Sequence, residues 1–287
     1  MARRLPTGLP ASAGVLARYV QAYARDAGVS EARVRAWVSY MVLAGMLERA
    51  AVASHPRFIV KGGIALELRL PNRARATKDI DIVLQHDDAD LARTLERATS
   101  GESYQGFSFR RKGEPLLLDN GTVNVELAVT YRGGAWTSIA VDIARAEAGE
   151  AGVEWLPAIP LTADFGITGP ADLPCLPLRV HVAQKLHGMT LPPRAGRRND
   201  RFRDLVDLLL MEELVTDYVG LREACETVFA SRGTHDWPPP LVVPPHWIEP
   251  FARMAADLDL PVTDAAAGMA RVQAFVTRIL QTAGPDA

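Results

Sequence analysis

The stretch Phe58–Leu84, FIVKGGIALELRLPNRARATKDIDIVL, decides how this chain folds. Phe58, Ile59 and Val60 form a short apolar strand that ends at Lys61 and runs into Gly62-Gly63. An apolar-periodic helix follows, and then a second strand with Asp79 and Asp81 at alternate positions. Alternate residues of a strand project to one face, so the two carboxylates converge. A pair of this kind suits a hard divalent cation: Mg2+ takes one or two carboxylates and completes its shell with phosphate oxygens and water. Two glycines at a helix start let backbone N–H groups approach an anion. Together these features describe a metal–nucleoside triphosphate site.

Helical patterns flank this core. Gly14–Ala27 carries Val15, Leu16, Val20 and Tyr23 on one side. Ser30 is a natural N-cap for a helix from Glu31 to about Ala50, with Val34, Trp37, Val38, Met41, Val42 and Met46 on its apolar side. After the quoted stretch, Asp88–Ala98 reads as a helix. Gln105–Arg111, Thr122–Tyr131 and Trp136–Ile143 read as strands, the last two joined by a hairpin turn at Arg132-Gly133-Gly134-Ala135. Proline and glycine then punctuate Gly149–Pro177, which reads as a linker. Helices resume at Leu178–Met189, Arg201–Glu213, Asp217–Ser231 and about Thr263–Ala283, interrupted by the proline-rich connector His235–Pro245. The expected organisation is an N-terminal helical segment (1–56), a mixed-sheet core (57–148), a linker (149–177) and a C-terminal helical domain (178–287), in the α+β class.

Composition narrows the function classes. With 48% hydrophobic and 23% charged residues the chain has the balance of a globular protein. No apolar run approaches the roughly 18 residues of a membrane span, and MARRLPTGLPASAG lacks the apolar centre of a secretory signal. The two cysteines, Cys175 and Cys225, have no metal-type spacing and read as reduced buried thiols, which fits a cytoplasmic location with no membrane partner. A net charge of −2 means that nucleic-acid binding would have to come from local basic patches. No Walker A, Rossmann, G-x-S-x-G or H-E-x-x-H pattern occurs, so hydrolase and dehydrogenase readings have no support.

Metal-dependent phosphoryl chemistry calls for a third acid beside Asp79 and Asp81. Asp142, the one acid in the apolar strand SIAVDIA, is the first choice, because a lone carboxylate there is costly to bury unless paired or metal-bound. Glu126 in the neighbouring strand is its rival. Lys61 suits either a phosphate contact or the capping of a strand end.

The order strand, Gly-Gly, helix, strand with D-x-D resembles the nucleotidyltransferase superfamily with a polymerase-β-like palm. Downstream, Ala183-Gln184-Lys185-Leu186 and Arg201-Phe202-Arg203-Asp204-Leu205-Val206-Asp207-Leu208 sharpen that likeness. All four motifs in this order make the chain similar, over roughly Arg57 to Met211, to the AbiEii/MenT-type nucleotidyltransferase toxins. Ile80 stands between the aspartates where family members often carry Leu, a conservative departure.

The resemblance implies a palm-like core and transfer of NMP from an NTP substrate to an RNA acceptor, with pyrophosphate released. The implied acceptor is the tRNA 3′ end, the implied consequence blocked translation, and the implied partner a cognate antitoxin. It assigns Gly62 and Gly63 to the triphosphate-cradling turn; Lys61 and Thr77 beside them are further nucleotide-binding candidates by position. Asp79 and Asp81 become ligands of Mg2+, two ions being expected, with Asp142 beside them. Lys185 becomes a phosphate-contacting cation and Asp204 an active-site acid, although Asp207, three residues on, shares its helix side. In that reading one of the two acids is buried and the other solvated. A Ser or Thr commonly stands at Thr77 in the family. A phosphate there would set nearly two negative charges beside the metal carboxylates, which makes Thr77 a candidate regulatory phosphosite. Basic groups at Arg194, Arg197, Arg198 and Arg201, at Arg69, Arg73, Arg75 and Lys78, and at Arg110, Arg111 and Lys112 flank these motifs and suit RNA phosphates. Other acceptors remain open, a protein or small-molecule hydroxyl, as does an inactive nucleotide-binding module.

Overall fold

A computed structural model describes residues 6, 8–50, 56–71, 73–75, 77, 79–85, 90–101, 103–147, 152–159, 164–193, 196 and 198–282. The chain divides into two compact units. The first comprises Met1–Pro71, Ala76–Ala146 and Trp155–Cys175; the second comprises Asn72–Arg75, Glu147–Glu154 and Leu176–Ala287.

The first unit is built on a mixed sheet. Its strands are β1 (Phe58–Lys61), β2 (Asp79–Leu84), β3 (Phe107–Leu117), β4 (Val123–Tyr131), β5 (Gly134–Arg145), β6 (Glu154–Pro157) and β7 (Asp172–Cys175). They lie in the order β3-β4-β5-β2-β1-β7-β6. β3, β4 and β5 form an antiparallel meander, β2 runs parallel to β5, and β1 is antiparallel to β2. The β4–β5 turn is the tight one expected from Arg132-Gly133; both residues have positive φ, 46° and 77°, as a two-residue hairpin loop demands.

Alternation separates the two faces of the meander. Val125, Leu127, Val129, Ile139, Val141 and Ile143 are buried in one core with Ile80 and Ile82. Helices α1 (Ala13–Ala27), α2 (Glu31–Glu48) and α4 (Leu91–Thr99) contribute buried residues to that core. Ser30 caps α2 as expected, its hydroxyl accepting the Arg33 N–H at 3.2 Å. The periodicity gave α2 one apolar side, yet every residue from Trp37 to Leu47 is buried. A helix enclosed on all sides must satisfy its polar groups internally. Ser39 does so, its hydroxyl donating to the Arg35 carbonyl (2.8 Å) and accepting from Trp136 Nε1 (3.1 Å). Asp90 caps α4 through the Arg93 N–H; Asp88, where the helix was expected to begin, lies outside the described residues.

The stretch expected as a linker carries two strands, β6 and β7. Each is four residues long and contains a proline, Pro157 or Pro174, so its sequence reads as a loop.

The second unit is helical: α5 (Leu178–Met189), α6 (Phe202–Met211), α7 (Tyr218–Arg232), α8 (Ile248–Asp257) and α9 (Ala265–Gln281). Leu186, Leu205, Leu208, Phe229, Phe251 and Phe275 are all buried, each worth about 1.5–3 kcal/mol in area removed from water. Asn199 closes α5, its amide donating to the carbonyls of Gly188, Met189 and Leu191 at 3.2, 2.9 and 3.1 Å. α8 was not expected from the sequence. Its Pro250 sits in the first turn, where proline is tolerated. Among the described residues, no helix is long and apolar enough to cross a membrane.

Candidate active site

Lys61 ends β1 and Gly62 opens α3 (Gly62–Arg69) with φ +62°, a conformation that an L side chain resists. A Cβ at Gly62 would overlap the Asp81 carboxylate, lying 2.6 Å from its Cγ. One at Gly63 would lie 2.7 Å from Thr77 Oγ1. Both glycines are therefore required by close approach: they let Asp81 and Thr77 sit against the start of α3. Thr77 in turn donates its hydroxyl to the Asp79 carbonyl at 3.0 Å, which shapes the entry into β2.

Strand register sets the carboxylates side by side. Asp81 pairs with Lys61 on one flank and Asp142 on the other. Asp142 pairs with Asn124 of β4, whose amide donates to Asp142 Oδ1 at 2.6 Å. Directly paired residues share a face, so Lys61, Asp81, Asp142 and Asn124 form one row across the sheet. The neighbouring row is Asp79, Ala140, Glu126 and Lys112. Glu126 is engaged elsewhere, accepting from Lys112 Nζ at 2.6 Å on the meander surface. Of the two rivals for third acid, Asp142 is the one opposite Asp81.

The donor set fits a hard cation in chemical type: half-buried Asp81 and Asp142 and exposed Asp79, all oxygen ligands on one face. Among the described residues, no three metal-binding side chains form a preassembled cage. A cation that completes its shell with phosphate oxygens and water requires only one or two carboxylates from the protein.

Sequence reasoning missed Tyr40. This α2 tyrosine is buried, and its phenol pKa is pushed up by burial first, then by the nearby charges of Asp79, Asp81 and Glu67. It remains a protonated phenol beside the aspartates. Asn124 was also missed; a polar residue in the alternating strand VNVELAV gives no sign of what it faces.

The second group of expected residues lies in the helical unit. Lys185 of α5 is buried and donates to Asp204 Oδ1 at 2.8 Å, with Asp207 Oδ2 at 2.7 Å. Arg75 grips Asp207 through Nε and Nη2, at 3.1 Å for its shortest bonds, and Arg201 reaches Asp204 Oδ2 at 3.1 Å. The sequence reading allowed one buried and one solvated aspartate. Both are buried, because the single ammonium of Lys185 and the two guanidiniums compensate both carboxylates. Burial alone would depress the Lys185 pKa, but Asp204 and Asp207 outweigh it and hold it above its ordinary value. Burial would raise the Asp204 pKa, and Lys185 and Arg201 hold it below. Lys185 and Asp204 are therefore both charged at neutral pH.

Arg198 pairs with Asp200 at 3.2 Å on the surface, and Arg201 is committed to Asp204. Arg194, Arg197 and Lys78 lie outside the described residues. His187, buried against Thr234 and Arg232, has its pKa pushed down to about 3 by burial and by Arg232, and is neutral.

Residues 45–283 match the family model described as "Nucleotidyl transferase AbiEii toxin, Type IV TA system". Among solved structures the fold is similar to MenT4, a nucleotidyltransferase toxin from Mycobacterium tuberculosis H37Rv, with TM-score 0.63 and 20% identity over 95% of this chain and 90% of that one. A search of curated proteins gave no significant match.

Proposed function

The chain belongs to the AbiEii family of nucleotidyltransferase toxins, and from that membership we propose that it transfers a nucleoside monophosphate to the 3′ end of tRNA and so blocks translation. The observation that carries this reading is the row Lys61–Asp81–Asp142 beside Asp79 and the Gly62-Gly63 turn. In the reaction, the 3′-hydroxyl oxygen of the acceptor attacks the α-phosphorus of the NTP. The bond from that phosphorus to the bridging oxygen breaks, and pyrophosphate leaves with the electron pair. Asp142 takes up the hydroxyl proton; its free oxygen is the candidate base because Asn124 occupies the other. Mg2+ held by Asp79, Asp81 and Asp142 with phosphate oxygens would neutralise the triphosphate and the departing pyrophosphate. Lys61 and the backbone of Gly62 and Gly63 bind phosphate oxygens at the start of α3. Lys185 and Asp204 are kept as residues that turnover requires. Location in the cytoplasm follows from the acceptor. The family's assignment to type IV toxin–antitoxin systems implies an antitoxin partner.

Purified protein incubated with total tRNA, Mg2+ and each labelled NTP in turn, beside Asp79→Ala, tests the reading. Label on tRNA that disappears in Asp79→Ala and on chelation is the expected result. No label with any NTP would reject the RNA acceptor and redirect the search to protein and small-molecule hydroxyls.

Thr77 is proposed as a regulatory site on the same reading. Its hydroxyl borders the Gly63 turn, so a phosphate there would compete with the substrate triphosphate for the same space and charge. Thr77→Glu is expected to lower labelling at least about tenfold, whereas Thr77→Ala loses only one hydrogen bond, worth about 1 kcal/mol. Full activity in Thr77→Glu, measured at saturating and limiting NTP, would remove the proposal.

A further inference from the structure

On the face of the β3–β5 meander opposite the core, the described residues are exposed or half-buried. Along it the register gives successive rows: Asn124 with Asp142 and Asp81, then Lys112 with Glu126, Ala140 and Asp79. Next come Arg110 with Ala128 and Ser138, and Ser108 with Thr130. Every one of these meander residues is exposed or half-buried, whereas Val125, Leu127, Val129, Ile139 and Val141 on the reverse are buried. The floor is thus made of small side chains (Ala128, Ser138, Ala140, Thr130, Ser108), and the carboxylates lie at one end of it.

The rim is cationic. Arg110 is exposed and has no hydrogen-bond or ion-pair partner among the described residues. Lys112 neutralises Glu126 and also reaches Ser138 Oγ at 3.3 Å. Arg111, between them, faces the other way: it pairs in register with buried Leu127 and is 3.7 Å from Glu96 of α4. Leu116, 60% exposed, ends the Asp81–Asp142–Asn124 row and offers an apolar ledge there. At about 4.8 Å between strands and about 3.4 Å per residue, Arg110 lies roughly 17 Å from Asp142 along this face.

We infer that this sheet face is the track for the unpaired 3′ end of the RNA acceptor, with Arg110 and Lys112 holding its phosphates and the terminal hydroxyl delivered to Asp142. The inference rests on the nucleotidyltransferase reading above and extends it to the acceptor. A shallow floor of small residues admits a single strand with its bases splayed, and a cationic rim leading to metal-binding carboxylates has the charge order that a polyanion with a reactive end requires.

Two adjacent arginines on opposite faces make the test. The full-length protein is assayed by anisotropy with a fluorescein-labelled single-stranded RNA matching a tRNA 3′ terminus, and by steady-state labelling of tRNA. Arg110→Glu and Ser138→Glu are expected to raise the RNA Kd and the acceptor KM about tenfold while leaving the NTP KM unchanged. Arg111→Glu stays within about twofold of wild type. Arg110→Gln should also reduce the slope of log K against log salt by about one, which a folding defect would not do. Equal behaviour of Arg110→Glu and Arg111→Glu overturns the track, even if wild type labels tRNA. Arg110-dependent RNA binding without any labelling supports the track while rejecting the transfer reaction. Wild type that binds no RNA, or that labels a protein in an Arg110-dependent way, overturns the RNA assignment.

Discussion

Asp81→Asn is expected to lower nucleotide transfer on the order of 10³-fold while leaving the melting temperature unchanged or higher. Loss of one ligand removes several kcal/mol of transition-state charge stabilisation, and about 4 kcal/mol corresponds to three decades in rate. The sign of the stability change follows from register. Asp81 and Asp142 are direct partners on parallel strands, about 5 Å apart. Two like charges at that spacing repel by about 1 kcal/mol in water and about 3 kcal/mol at a protein surface. Asn124 relieves part of this through its hydrogen bond to Asp142, and removing one carboxylate removes the repulsion between the pair.

The divalent-cation arm separates a ligand from a scaffold residue. A cation that binds only the folded chain raises Tm with its concentration. Wild type should therefore show a Mg2+- or Mn2+-dependent rise, and Asp81→Asn a much smaller one. Asp142→Asn should resemble Asp81→Asn, whereas Glu126→Gln should resemble wild type, because Glu126 is spent on Lys112. If Glu126→Gln lost the cation effect and Asp142→Asn kept it, the assignment of the third acid would have to be exchanged.

How far the sequence reached depends on whether a signal was local. Asp79 and Asp81 were legible because period-two alternation is a property of a single strand. Asp142 was legible by chemistry, as a lone acid among apolar residues, but its position opposite Asp81 is a fact of sheet register that no local pattern encodes. Tyr40 was hidden because α2 reads as an apolar helix, and an aromatic within it passes for core. The Gly62-Gly63 turn was readable as a special backbone position. That its glycines make room for Asp81 and Thr77, 19 and 14 residues onward, was not. β6 and β7 were hidden by their prolines and shortness. Among the basic residues, composition could not separate Arg110 from Arg111; only the pairing of β3 with β4 does.

Lys185→Met is expected to cost about 3–5 kcal/mol of stability, a large share of the roughly 5–15 kcal/mol that holds a domain together. Methionine matches the stem of Lys185 in volume, so the loss is one of charge. Without the ammonium, Asp204 and Asp207 remain buried, with the half-exposed Arg201 on Asp204 and Arg75 on Asp207. Adding Asp204→Asn to Lys185→Met should recover part of the loss, since an uncompensated buried charge costs more than its neutral replacement. Urea unfolding at pH 7 measures both, and a double variant no better than the single would contradict the assignment of the loss to charge. The pH dependence carries the same sign. Asp204 has its folded pKa below the ordinary 3.8, so its contribution is present above that value and is lost as pH falls through the depressed one. Lys185 has its folded pKa above the ordinary 10.5, so its contribution is present below 10.5 and is lost only as pH rises through the raised one. Wild-type stability should therefore fall at both extremes. In Lys185→Met the alkaline fall should lessen, and the acid fall should also weaken, because Asp204 then has less holding its charge in place. Activity measured where the variant is still folded tests the separate demand that turnover needs this lysine. Retained transfer in a folded Lys185→Met protein would reduce the residue to the centre of a structural ion cluster.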